Sequence, residues 1–245
     1  MTNLSVNLNA VAYLRNRRDL PWPSVIRVAR LVLDAGADGI TVHPRPDERH
    51  IRRTDALELA RLVQGEYPHA EYNMEGYPGA EFMDLVEAAA PDQVTFVPDG
   101  PGQSTSDHGW DIAANHGVLV PAIARMKAAR IRVSLFIDPV PAVAAEAAAL
   151  GADRIELYTA GYGGSFTQAA AEPYLKDLAA TAQLAQSAGL AVNAGHDLTL
   201  ENLPAFQRAV PGIAEVSIGH AITSDALLMG FPEAVRRYKA ALAAA

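Results

Sequence analysis

Along the chain, runs of five to seven mostly apolar residues alternate with longer stretches in which apolar residues recur every three or four positions. The short runs predict strands at 4–9, 39–43, 70–75, 93–98, 132–138, 154–159, 191–195 and 215–219. Between them the longer period predicts helices at 24–35, 54–67, 80–89, 113–129, 140–149 and 173–188, with Ser24 and Thr54 placed to cap two of them. The segment Ala35-Gly36-Ala37-Asp38-Gly39-Ile40 is echoed by Leu150-Gly151-Ala152-Asp153-Arg154-Ile155 and by Ala188-Gly189-Leu190-Ala191-Val192. In each, glycine ends a helix in a left-handed cap and an apolar strand follows at once. Strands that alternate with covering helices run parallel, because each crossover returns the chain to the same end of the sheet. Eight such units predict an α/β fold, a closed (β/α)8 TIM barrel. A doubly wound open sheet is the alternative, but the Gly-x-Gly-x-x-Gly turn is missing after the first strand. No Pro- or Ser-rich linker divides the chain, so residues 1–245 read as a single domain.

Half of the 245 residues are apolar and a fifth are charged, the balance of an ordinary globular protein. Cysteine is absent, which removes disulfides, thiolate nucleophiles and Cys-based metal sites and suits a reducing cytoplasm. The first residues lack a basic segment leading into an apolar one, and no later apolar run spans a bilayer, so neither secretion nor membrane insertion is expected. A net charge of −8 argues against a nucleic-acid surface. Residues 1–53 depart from that average, with nine Arg against five acids for +4, leaving −12 on the rest. That segment is either a solvated face or a focus for a small anion such as a phosphate ester.

The barrel turns a scatter of polar residues into a site, since every strand's carboxyl end opens on one mouth. Strand one ends at Asn7-Leu8-Asn9, strand two at His43 with Arg45 and His50 just beyond, and strand three at Asn73-Met74-Glu75. Strand six carries Glu156, strand seven ends at Gly195-His196, and strand eight at Gly219-His220. Four of the seven His residues therefore fall at strand ends, whereas His69, His108 and His116 read as surface or loop positions. Imidazoles near neutrality and a carboxyl raised by apolar walls are suited to general acid–base work. Gly195 and Gly219, in the loops after strands seven and eight, leave backbone amides open to phosphate, and Gly161, Gly163 and Gly164 read as a third flexible loop. Arg18, Arg45 and His50 supply cations for a second anion, while Arg49, Arg52 and Arg53 read as salt-linked surface. Ser104, Thr105 and Ser106 read as a cover over the mouth or a hydroxyl contact. Three His and a Glu could in principle hold a metal, but no His-x-x-x-His spacing supports one, and no metal is expected. The three lysines, Lys127, Lys176 and Lys239, all lie in helical patterns, so amine chemistry needs an amine brought by the substrate.

These residues resemble the pyridoxine 5'-phosphate synthase family over nearly the whole chain. The likeness rests on Val6-Asn7-Leu8-Asn9, Leu14-Arg15-Asn16, the long stretch from Gly36 to Ile51 through His43-Pro44-Arg45-Pro46-Asp47-Glu48-Arg49-His50, Asn73-Met74-Glu75, Val192-Asn193-Ala194-Gly195-His196 and Ile218-Gly219-His220-Ala221. The resemblance implies a condensation of 1-deoxy-D-xylulose 5-phosphate with 3-amino-2-oxopropyl phosphate, releasing phosphate and water without metal or organic cofactor. It implies that His43 and Glu75 accept protons, that His196 donates one, and that Glu156 is a further participant. It also implies that Arg45, His50 and Thr105 hold the sugar phosphate and that Asn7, Arg18, Gly219 and His220 hold the amino ketone phosphate. Two departures stand out: Asn9-Ala10 replaces an Asp-His pair, and Asp197 stands where glycine is common. Sugar contacts at Asn9 and a backbone contact at Asp197 are expected. The family implies a homo-oligomer, an octamer built as a tetramer of dimers. The competing reading is a divergent barrel lyase or isomerase acting on another phosphosugar.

Overall fold

The computed structural model describes residues 1–100, 102, 103 and 105–244. Eight parallel strands close on themselves in sequence order: β1 (Asn3–Asn7), β2 (Gly39–Val42), β3 (Glu71–Gly76), β4 (Gln93–Phe96), β5 (Arg132–Ile137), β6 (Arg154–Tyr158), β7 (Ala191–Gly195) and β8 (Ile213–Ile218). Pairing of Val6 with Ile218 and of Ser5 with Ser217 joins the last strand to the first, so the expected TIM barrel is the observed fold. The helices are α1 (Asn9–Asn16), α2 (Val25–Asp34), α3 (Arg53–Glu66), α4 (Ala80–Ala89), α5 (His116–Ala128), α6 (Pro141–Ala149), α7 (Ala160–Gly163), α8 (Gln168–Ser187), α9 (Leu203–Ala209), α10 (His220–Met229) and α11 (Phe231–Ala243).

Alternation along the strands sorts the core into two chemistries. Leu4, Val6, Ile40, Val42, Met74, Val94, Leu135, Leu157, Val216 and their neighbours are buried in the apolar core shared with the helices. Burying each such side chain contributes about 1.5–3 kcal/mol. The intervening positions are polar and equally buried. The Ser5 hydroxyl lies 2.7 Å from that of Thr41, the Asn73 amide donates to Thr41 at 3.4 Å, and Thr95 donates to Asn73 at 3.2 Å. At the amino-terminal end of the strands, Glu71 lies 2.5 Å from Arg132 and 3.3 Å from Arg154, and Arg154 lies 4.0 Å from Glu215.

Helix ends follow local chemistry. The Ser24 hydroxyl caps α2 by accepting from the Arg27 N–H at 3.2 Å, as expected. Thr54 does not cap α3: it lies inside the helix, and the Asp55 carboxylate instead takes the Arg52 N–H at 2.8 Å, a reach a third helical residue has and a first does not. Helix α8 starts five residues before the expected Pro173, because Thr167 accepts from the Ala170 N–H and the Ala-rich turn between them has high helix propensity. Gly36, Gly151 and Gly189 adopt φ of 99°, 82° and 86°, the left-handed caps read from the repeat.

Candidate active site

The strand ends open on a cavity of about 830 Å³, lined by Asn7, Asn9, His43, Arg45, His50, Glu75, Thr105, Glu156, His196, Asp197, Gly219 and His220. Twelve of the thirteen sequence candidates thus meet around one space. Arg18 does not: it is exposed on the turn after α1, outside this lining. The periodicity of α1 explains the displacement, since Asn9, Ala10, Tyr13, Leu14 and Arg17 form one helical stripe facing the mouth. Arg17 lies on the cavity lining instead.

The first strand builds the frame for the base. Asn7 donates to Glu75 Oε2 at 3.3 Å and accepts the Asn9 N–H at 3.0 Å, while Asn9 Oδ1 accepts the His43 N–H at 2.9 Å. His43 stands between two carboxylates, with Nδ1 4.0 Å from Glu75 and Nε2 3.9 Å from Asp99. Burial, reinforced by the charge of Arg45, holds the His43 pKa well below the usual imidazole range, so the ring is a neutral acceptor. Burial raises Glu75 to about 7, helped by the charge of Asp99 and opposed by Arg45 and the Asn7 bond. Glu156 is pushed well above the carboxylate range by burial and by the nearby Glu75 and Glu215, and its Oε2 has no hydrogen-bond partner. One carboxyl is poised to exchange a proton near neutrality and its neighbour is held protonated, which is how a single site obtains a base and an acid from the same residue type.

The anion side is equally specific. The buried Arg45 pairs with Asp99 and keeps its Nε without a partner. His50 Nδ1 accepts the Ile51 N–H at 2.9 Å, and burial with the charges of Arg45 and Arg49 lowers its pKa to about 4. Neutral His50 therefore carries its proton on Nε2 and presents a donor to the cavity. Asn16 fixes this loop by donating to the carbonyls of Glu48, Arg49 and His50 at 3.1, 3.1 and 2.8 Å, and Arg15 adds a bond to the His50 carbonyl at 3.1 Å. Across the mouth, Gly219 precedes α10, whose first residue is His220, so the free amides of a ten-residue helix start at the cavity. A side chain at 219 would come within 3.1 Å of Asn7 Cβ.

His196 packs edge-on against Tyr158 and at a tilt against Phe136, each 5.3 Å between ring centres. Burial lowers its pKa against the opposing pull of Asp197 and Asp99. His196 and Asp197 both have positive φ, 79° and 55°, and Thr159 holds the turn by donating to the carbonyls of Gly195 and His196. Asp197 thus keeps the backbone that glycine would adopt freely. The expected flexible loop at Gly161, Gly163 and Gly164 is instead the helical turn α7 and its cap, because the site needs close packing there: a Cβ on Gly163 would lie 2.4 Å from that of Asp197. His69, His108 and His116 are exposed, as read. Ser104 lies outside the described residues. Among the described residues, no group of three or more His, Asp or Glu could hold a metal ion. Residues not anticipated are Arg17, Phe136, Tyr158 and Asp99. The first was signalled by helical spacing from Asn9, and the last as the acid closing the strand-four run.

A model of the family described as Pyridoxal phosphate biosynthesis protein PdxJ matches residues 4–244. The chain is 56% identical over 241 residues to proteins named pyridoxine 5'-phosphate synthase from Brucella anthropi and Brucella abortus, covering 98% of each chain. Among solved structures it resembles a thiamine phosphate pyrophosphorylase from Pyrococcus furiosus (TM-score 0.62, 15% identity, 98% of this chain and 95% of that one). It also resembles a 3-hexulose-6-phosphate synthase (TM-score 0.64, 16% identity, 98% and 100%). At those identities the two structures share only the barrel. Among the described residues no helix is long and apolar enough to cross a membrane.

Proposed function

The chain belongs to the pyridoxal phosphate biosynthesis protein PdxJ family, and from that premise we infer how its barrel mouth carries out pyridoxine 5'-phosphate synthesis. The activity is a ring-closing transferase condensation. The sugar phosphate, 1-deoxy-D-xylulose 5-phosphate, sits with its phosphate against Arg45, His50 and Thr105. The amine partner, 3-amino-2-oxopropyl phosphate, places its phosphate at the amides of Gly219 and His220, with Asn7 beside it and Arg17, rather than Arg18, as the cation this fold offers from α1. Bringing the amine on a substrate replaces the lysine that the mouth lacks.

Carbon–nitrogen and carbon–carbon bond formation both require protons to leave carbons next to a carbonyl or imine and to reach departing oxygens. Ionised Glu75 and neutral His43 take those protons. Protonated Glu156 and His196 return them to the leaving hydroxyls, which depart as water, while the C–O bond to one phosphate breaks and it leaves as inorganic phosphate. His196 gains its proton when the two phosphates enter, since each adds about −1.5 to −2 of charge to an enclosed space. The observation that carries this reading is the convergence of His43, Glu75, Glu156 and His196 on one cavity with anion donors at two of its edges. Purified, chelator-treated protein incubated with both phosphates is expected to form pyridoxine 5'-phosphate, followed by absorbance and mass. No product overturns the reading, and turnover of a phosphosugar without the amine favours a lyase or isomerase instead.

The reading includes small-molecule phosphate substrates, a cytoplasmic setting and assembly into a homo-oligomer, a tetramer of dimers. Leu227 and Leu228, 74% and 88% exposed on α10 beside the mouth, support assembly, since apolar side chains left open at a functional edge are suited to a protein contact.

A further inference from the structure

We propose that Asp99 is a positioning residue of this site: it locks Arg45 in place, fastens the loop bearing Thr105, and sets a second carboxylate against His43 opposite Glu75. Its side chain is only 3% exposed, in the connection that follows β4. One oxygen, Oδ2, receives three approaches: the Arg45 guanidinium, the Ser106 hydroxyl at 2.7 Å and His43 Nε2 at 3.9 Å. The other, Oδ1, is buried without a partner. A carboxylate enclosed in this way is costly unless charges nearby compensate it, and Arg45 is the one that does.

Three consequences follow from the placement. Arg45 loses its freedom to swing and keeps its Nε for another acceptor. Through Ser106, Asp99 closes the strand-four loop on itself, through Arg45 it ties that loop to the strand-two loop, and Arg49 adds a second tie to the Gln103 carbonyl at 2.9 Å. Thr105 lies between those two anchors. Finally, the charge of Asp99 acts on Glu75 across His43 and raises its proton affinity. Arg45 opposes that effect, and the other titratable groups facing Glu75 are His43, with Nδ1 4.0 Å away, and Glu156.

This inference rests on the function proposed above for the roles of Glu75 and Arg45, so the test has one arm that needs no turnover. In protein labelled with 13C at glutamate carboxyls, with Glu75→Gln assigning the resonance, the Glu75 midpoint is expected to fall by about one pH unit in Asp99→Asn. Asp99→Glu, which keeps the charge, should leave it near its original value. In the second arm, the acid limb of kcat/KM for the sugar phosphate should move to lower pH in Asp99→Asn while kcat falls about tenfold or more from the loosened Thr105 loop. Asp99→Ser, small and neutral, provides the same readings if the Asn variant does not fold. A Glu75 titration unmoved in either folded neutral variant overturns the inference, whatever the turnover. Loss of product in the unaltered enzyme would instead strike at the proposed function and leave the carboxyl titration to decide this point.

Discussion

Glu75 and Glu156 show how much of the chemistry is set by what surrounds a side chain. Both are carboxyls enclosed by the barrel, yet Glu75 has the Asn7 amide and Arg45 to favour its ionised form, while Glu156 is raised by burial and further by the carboxyls of Glu75 and Glu215 and has an oxygen without a partner. With Glu75 raised to about 7, the ionised base accumulates as the pH climbs through neutrality. The rate at low substrate should therefore rise with pH along a limb centred near that value, and a profile flat from pH 6 to 8 would show that another group is the base. Replacing the base tests the same assignment directly. Glu75→Gln and His43→Ala are each expected to lower kcat by about two to four orders of magnitude, the range for lost acid–base catalysis, with the circular dichroism spectrum unchanged. Single-turnover measurements separate that loss from weaker binding.

At the scale of elements, the turn from β7 through His196 and Asp197 is held from the side by α7, and that packing is tight enough to test. A Cβ on Gly163 would approach the Asp197 carbonyl oxygen to 2.6 Å, closer than Cβ atoms in folded proteins come to a non-bonded neighbour. Gly163→Ala should therefore cost about 1–3 kcal/mol in a urea titration and reduce turnover by displacing His196 from its seat between Phe136 and Tyr158. A variant as stable and active as the parent would mean that the turn yields easily. The same region marks the boundary of what the chain revealed before folding. Strand runs, glycine caps and strand-end His and Glu residues were legible because period and position are local signals. The glycines at 161, 163 and 164 read as loop because the sequence does not record that Asp197, more than thirty residues on, presses against Gly163, or that Tyr174 presses against Gly161. Likewise Arg18 and Arg17 differ only in which way a one-residue step of helix phase, about 100°, points them, and that phase was fixed by where α1 begins at Asn9. Asp99 escaped notice because its importance lies in partners drawn from strand two and from its own loop.

For the whole molecule, an apolar shell outside the strands and a polar column inside them place several titratable groups beyond the reach of bulk water, so folding itself is coupled to pH. Burial raises Glu75, Glu156 and Glu215, which hold protons in the native state that the unfolded chain releases above about pH 4.5. Those groups make stability fall as pH increases. Burial lowers His43, His50 and His196, which stay neutral in the native state while the unfolded chain binds protons below about pH 6.5, so these groups make stability rise with pH up to that point. Below pH 4.5 only the imidazoles act, between the two values the sets oppose each other, and above pH 6.5 only the carboxyls remain. Stability should accordingly peak on the acid side of neutrality, at about pH 5–6, and decline from pH 6.5 to 8. Denaturant titrations at half-unit steps of pH measure the curve. Glu215→Gln isolates one contribution away from the mouth, since the amide mimics the protonated carboxyl without a proton to lose. Its decline above pH 6.5 should be shallower than the parent's, by at most about 1.4 kcal/mol per pH unit, the weight of a single proton. Equal slopes in the two proteins would show that Glu215 is ionised in the native barrel, neutralised by Arg154.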